Sequence, residues 1–214
     1  MPNRKFLLII LLITIPLLAG GQCAFFYSSG GDDDDEETDD TSAVVVVASG
    51  VLVDAPVEGV RYESGALAGI TGSNGEFLYE VGNTVRFSIG DIILGRPVTG
   101  KAVITPMDLV ENGTSGTTAV INIARLLQSL DSNPGDATIT IPPEVRAAAV
   151  RSNAALSSAI EFLDFSDEAA FLNAASQLVA VLTGDYPHTA VLVDADQART
   201  HMERSLGMPG HELP

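Results

Sequence analysis

Three histidines, His188, His201 and His211, are the side chains of this chain best suited to moving a proton near neutral pH. A hydrolase would set one of them beside a nucleophile and orient it with a carboxylate. None stands in a local pattern that does so: His188 follows Pro187 in a loop, His201 lies on an expected surface helix, and His211 falls in the tail. Asp194, Asp196, His201 and Glu203 are close in sequence and offer metal-ligand chemistry. Asp196 and His201 are five apart, however, a spacing that does not bring two side chains onto one helix face. Asp32-Asp33-Asp34-Asp35 offers calcium chemistry but lacks the glycine-centred loop that orients such ligands. Gly65-Ala66-Leu67-Ala68-Gly69 and Gly113-Thr114-Ser115-Gly116 bear glycines without the lysine or spacing of a phosphate-binding fingerprint. Asn112-Gly113-Thr114 matches a glycosylation acceptor, read here as incidental. The expectation is therefore no catalytic residue, no metal site and no cofactor.

The one cysteine carries different chemistry. Arg4 and Lys5 precede an apolar run from Phe6 to Leu18, too short to span a bilayer as a helix and suited to a secretory signal. Ala19-Gly20-Gly21-Gln22-Cys23 follows, and this stretch resembles the lipobox of bacterial lipoproteins, in which the cysteine becomes the acylated first residue. Gly20 and Gln22 stand where that pattern has Leu and a small residue. The resemblance implies residues 1–22 as signal peptide and Cys23 as the lipid attachment site. Ala24, in place of Asp, resembles lipoproteins sorted to the outer membrane of Gram-negative bacteria. No disulfide within the chain is possible with a single cysteine.

Charge bounds the partners. The formal net charge is −17, and loss of Arg4 and Lys5 with the signal takes it to −19. Such a surface repels nucleic acid, which proteins bind through Lys and Arg. Asp32 to Asp40 holds eight acidic residues in nine positions, so residues 23–43 read as an extended, solvated tether.

Val44 to Val47 is β-branched throughout and opens the folded part as a strand. Gly50 to Asp54 and Val57 to Tyr62 read as further strands about a turn at Ala55-Pro56. Ile70-Thr71 leads into Gly72-Ser73-Asn74-Gly75, whose Asn-Gly pair predicts a hairpin with Glu76 to Tyr79. Asn83 to Leu94 gives two more strands about Gly90-Asp91, and Val98 to Ile104 a last one. The expectation for residues 44–106 is an antiparallel β-sandwich.

Gly50, Asp54, Pro56-Val57, Gly59-Val60, then Gly69, Thr71, Gly75 and Phe77, occur in an order that resembles the carboxypeptidase regulatory-like, or transthyretin-like, domain. Gly72 stands where that family commonly has Asp. The resemblance implies a β-sandwich that serves as spacer, stalk or binding module. Phe87 to Gly95 and Asn122 to Asp131 also resemble adhesin-like bacterial envelope lipoproteins.

From Thr117 the apolar period becomes helical, with Val120, Ile123, Ala124, Leu127 and Leu130 on one stripe widened by Ile121 and Leu126. Ala137 to Ile141 reads as a short strand. Glu144–Ser152, Ala154–Phe165, Asp167–Thr183 and Asp194–Leu206 read as helices, with Ser166-Asp167 capping the third and Gly184 ending it. The expected class is α+β: the transthyretin-like sandwich, a helical region over residues 107–206 packed on it, and a tail at 207–214. The expected function is a non-enzymatic envelope lipoprotein, tethered to the membrane through Cys23. It presents a binding, adhesion or structural module to a protein or glycan, with Arg61, Glu63, Ser73, Asn74 and Arg96 as loop contacts. The alternative is an envelope enzyme, or enzyme accessory, centred on His188 to His201. A third reading makes the helices a dimerisation face; the oligomeric state stays open.

Overall fold

The structure, a computed structural model, describes residues 45–208. Over that span the chain is mixed α+β, with ten strands, several of them antiparallel, and five helices. The signal sequence, Cys23, the acidic run and His211 lie outside the described residues.

Strand β1 (Val47–Leu52) pairs antiparallel with β5 (Glu76–Glu80) and parallel with β9 (Val103–Ile104). A second sheet centres on β3 (Arg61–Ser64) and β6 (Thr84–Ile89), with β4 (Leu67–Ile70) beside β3, and β7 (Ile92–Ile93) and β8 (Val98–Thr99) on β6. Strand β2 (Val57–Glu58) pairs in parallel with β10 (Ile139–Thr140). Period-two alternation decides which faces are buried: Tyr62 and Ser64 in β3, Phe77 and Tyr79 in β5, and Val85, Phe87 and Ile89 in β6 point inward. Phe77 meets Phe87 edge-on at 5.2 Å and Tyr62 at 6.0 Å, joining residues of the two larger sheets.

Several local expectations need correction. Val57 to Tyr62 is not one strand, because Gly59 takes φ 87° and splits it into β2 and β3. Gly72 to Gly75 does not close a hairpin: β4 belongs to the β3 sheet and β5 to the β1 sheet, so this turn carries the chain from one to the other. Gly75, at φ 78°, supplies the left-handed residue, and no positive φ falls on Asn74. Leu52 N–H then reaches the Gly75 carbonyl at 2.9 Å, which ties the turn back to β1. Val98 to Ile104 is two short strands in different sheets, separated at Gly100, where a Cβ would lie 2.2 Å from the Tyr79 ring. The pairing is not purely antiparallel, since β9 and β10 each return from a long connection and run parallel to their partners. The strand expected from Val44 begins at Val47.

The helices are α1 (Thr118–Ser129), α2 (Pro143–Ala148), α3 (Ser157–Glu161), α4 (Glu168–Leu182) and α5 (Ala195–Ser205). Helix α2 stops well before the expected Ser152 because Ala149 leaves the helical region at ψ 53°, and α3 is correspondingly short. Asp167 caps α4 as expected, accepting the Ala170 N–H at 2.9 Å. Helix α1 is buried around much of its circumference and lies against α4 and α5. One apolar cluster runs from Leu52 and Phe87 in the strands through Ile123 and Leu127 of α1 to Phe171 and Leu182 of α4. A smaller cluster, Val120, Ala124, Ala198 and Met202, seats α5 on α1.

Candidate functional site

Of the concavities bordered by polar groups, two draw on several elements of the fold, whereas one of about 330 Å³ is lined by α5 alone. The larger is an open cleft of about 440 Å³, walled by the chain leaving β7 and by the turns that precede α1. Gly95, at φ 66°, lets its backbone press on Leu109, and Arg96 N–H donates to the Leu109 carbonyl at 2.8 Å. The register of β6 and β8 sets Thr84 opposite Thr99, both exposed at the cleft. Lys101 Nζ lies 2.6 Å from Asp108 Oδ1, while Asp108 Oδ2 accepts from the N–H and hydroxyl of Thr105. Burial by itself would raise the Asp108 carboxyl, but the bonds from Lys101 and Thr105 outweigh it and hold the group below its ordinary range. Asn112 borders the cleft at φ 53°, the one non-glycine residue in the left-handed region among the described residues.

The smaller is a cavity of about 150 Å³ bordered by Gln128, Asp131, Asp136 and His201. Asp131 Oδ1 accepts the N–H groups of Asn133 and Thr140, at 3.1 and 3.0 Å, which closes the loop leading into β10. Its burial outweighs those bonds and raises the carboxyl above its ordinary value. Burial, helped by Arg204, lowers His201, and the His201 Nε2 atom is enclosed without a hydrogen-bond partner. His188 rests its ring on Tyr186, whose hydroxyl donates to the Leu130 carbonyl at 2.7 Å.

Behind this cavity is a buried polar seam. Asp54 has no exposed surface, and Gln128 Nε2 lies 3.2 and 3.0 Å from its two oxygens and 3.1 Å from the Ala198 carbonyl. Burial pushes the Asp54 carboxyl up to about 7, with only the Gln128 bond opposing it. One turn earlier on α1, Arg125 donates to the Val193 carbonyl, to Asn122 and to Glu168, with its guanidinium 5.1 Å from the Phe171 ring centre.

Most residues singled out from the sequence serve as local braces. Asp194 is the N-cap of α5, accepting from Asp196 and Gln197, and Glu203 is buried 3.9 Å from Arg199. Among the described residues no three His, Cys, Asp or Glu side chains are grouped to hold a metal. At Gly65 the Glu80 carboxylate packs against the glycine and accepts the Ala66 N–H at 2.6 Å. Arg61 pairs with Glu63 on the exposed face of β3, and Asn74 donates twice to Glu76 to finish its turn. Of the expected loop contacts, Arg96 is the one that borders the 440 Å³ cleft. Reasoning from sequence missed Lys101 and Asp108, whose only signal was the polar, turn-rich stretch between Val98 and Thr117; it named Asn112 only as an incidental glycosylation match, and Asp54 and Gln128 only within stretches resembling known families, never as partners. Comparison with protein families, with curated proteins and with solved structures finds no match to this chain.

Proposed function

We propose that this chain is an exported, non-enzymatic envelope lipoprotein whose folded part binds a protein or glycan in the cleft formed by residues 96–113. Cys23 fastens it to the outer membrane, and the acidic stretch before residue 44 holds the folded part off a surface that it resembles in charge. The finer architecture belongs to the same reading: a transthyretin-like β-sandwich with the helical region packed on it. The approach of Phe77 to Phe87 and Tyr62, and the apolar cluster shared by strands and helices, support it.

The observation that carries a binding role is the cleft itself. Its volume lies in the range of small-ligand sites, and its hydroxyl, amide and cationic groups converge from both walls. Its one carboxylate, Asp108, is occupied by Lys101 and Thr105 and held ionised, which suits a brace and not a proton donor. The test is titration of the full chain with envelope saccharides and short peptides, read by backbone amide NMR. Shifts gathered on residues 96–101 and 107–113 are expected; a panel that leaves those amides unmoved overturns binding in this cleft. The anchor is tested separately by Cys23→Ser, expected to lose the acyl mass from the N-terminal peptide and to leave the membrane fraction.

One observation favours the alternative, an envelope enzyme or enzyme accessory. His201 Nε2 is enclosed and unpartnered at a cavity shared with Asp131 and Asp136. A hydrolytic activity toward ester or glycoside probes that His201→Gln abolishes would establish this reading over the first.

A further inference from the structure

Resting on the binding reading above, we propose that the cleft takes a compact, hydroxylated ligand bearing one oxyanion, a carboxylate or phosphoryl group, with Arg96 as its counter-ion. Five cations of the described residues are engaged: Arg61 with Glu63, Lys101 with Asp108, Arg125 with Glu168, Arg199 with Glu203, and Arg146 with the Gly59 and Ile141 carbonyls; of Arg86, Arg96, Arg151 and Arg204, which form no ion pair among the described residues, Arg96 is the one that borders this cleft. Arg96 is exposed at the cleft, and no carboxylate among the described residues lies within ion-pairing distance of it. Its backbone is nonetheless held, by the bond from Arg96 N–H to Leu109 and the tight approach of Gly95. A guanidinium presented from a fixed backbone offers the planar fork that carboxylate and phosphoryl oxygens match in two parallel bonds.

The other walls fit the rest of such a ligand. Thr84 and Thr99, side by side across the β6–β8 register, present hydroxyls that both donate and accept. Lys101 uses one of its three N–H groups on Asp108, which fixes the ammonium at the cleft. Asn112 holds a left-handed backbone that glycine would adopt without cost, and strained positions of this kind gather at ligand sites.

The net charge of the chain limits the size of the ligand. The chain's formal net charge of −17 opposes a long polyanion, whereas a single oxyanion at Arg96 is screened from charges beyond a Debye length, about 8 Å at physiological salt. The ligand is therefore small and singly or doubly charged, and nucleic acid stays excluded.

The experiment titrates the full chain, in neutral detergent, with glucuronate, glucose 6-phosphate and glucose, read by calorimetry and amide NMR. Glucuronate, glucose 6-phosphate or both are expected to shift the amides of Arg96, Thr99, Lys101 and Asn112, with glucose at least ten-fold weaker. Binding by only one of the two identifies the oxyanion as carboxylate or phosphoryl. Arg96→Gln is expected to weaken binding at least ten-fold and Arg96→Lys to weaken it less, while Arg86→Gln, an exposed cation on β6 outside the cleft, leaves it unchanged. Equal binding of glucose and the anions, or equal loss in Arg96→Gln and Arg86→Gln, overturns the oxyanion while binding in the cleft survives. Cleft amides unmoved by these probes overturn the oxyanion as well; unmoved also by the saccharide and peptide panel, they overturn the binding reading itself.

Discussion

The Gln128 side-chain amide donates to the Asp54 carboxyl, 3.0 and 3.2 Å from its two oxygens, across 74 residues of chain. The same nitrogen lies 3.1 Å from the Ala198 carbonyl, so one side chain of α1 ties the turn after β1 to the first turn of α5. Asp54 is wholly buried at this junction and no cation is paired with it among the described residues. The physical consequence is a carboxyl that prefers to keep its proton.

That preference predicts a particular pH dependence. The Asp54 carboxyl is raised from 3.8 to about 7 in the folded chain, so between those values the folded form binds a proton that the unfolded form has released. Its contribution is fully favourable below about 4 and is lost as pH climbs toward 7, then stays level. Asp54→Asn keeps an acceptor for Gln128 and removes the charge. It is expected to raise stability by roughly 2–4 kcal/mol at pH 8 and to change little at pH 4. Thermal unfolding followed by circular dichroism at pH 4, 6 and 8 checks this; a variant less stable than wild type at pH 8 would refute the account of a reluctantly ionised Asp54.

Arg125 and Glu168 form an asymmetric pair. The Arg125 side chain is 6% exposed and Glu168 49%, so the two partners contribute unequally. Arg125→Ala strips donors from Asn122, the Val193 carbonyl and Glu168 together, and is expected to cost about 3 kcal/mol. Glu168→Gln removes a solvent-screened charge and should cost under about 1 kcal/mol. Urea titration gives both numbers, and similar costs would mean that the ion pair, not the buried hydrogen-bond set, is the stabilising element.

Gly50 and Gly82 separate two reasons for glycine. A Cβ on Gly50 would lie 2.4 Å from the Lys101 carbonyl and 2.5 Å from the Phe77 ring, whereas one on Gly82 meets nothing within 4 Å although φ is 90°. Gly50→Ala is expected to lose about 2–3 kcal/mol through displacement of the Phe77 ring and the β1–β9 edge. Gly82→Ala should lose only about 1 kcal/mol from backbone strain. Near-ultraviolet circular dichroism should change in the first and not in the second, since only the first disturbs an aromatic cluster.

Asn112 offers a fourth measurement. Asn112→Gly relieves the left-handed backbone and is expected to leave stability unchanged or raise it by a few tenths of a kcal/mol, roughly, while Asn112→Val should cost about 1–2 kcal/mol. If the amide also touches the ligand, Asn112→Gly weakens binding in the cleft without loss of stability. That split between a melting curve and a titration distinguishes a ligand contact from a backbone requirement.

Strand alternation in Glu76–Tyr79 and Thr84–Ile89, the broad stripe of α1 and the Asp167 cap were all legible in the chain, because each depends on neighbours within a turn or two; the split of Val57 to Tyr62 at Gly59 was not. The turn at Gly72 to Gly75 was misread as a hairpin because an Asn-Gly pair reports the local bend and not which sheet the next strand joins. Parallel pairing of β9 and β10 was invisible for the same reason. Arg96 could be named as a polar loop residue, but its freedom from a carboxylate partner is a fact about what the fold places around it.

By itself the sequence determined the α+β class and an acidic, cysteine-poor chain, since these follow from composition and period. Only the tertiary structure decided that Asp54 meets Gln128, that Thr84 faces Thr99, and that Arg96, Lys101 and Asn112 border one cleft. Contacts between distant segments are set by how the sheets and helices bury their apolar faces against one another, and the polar groups go where that packing carries them.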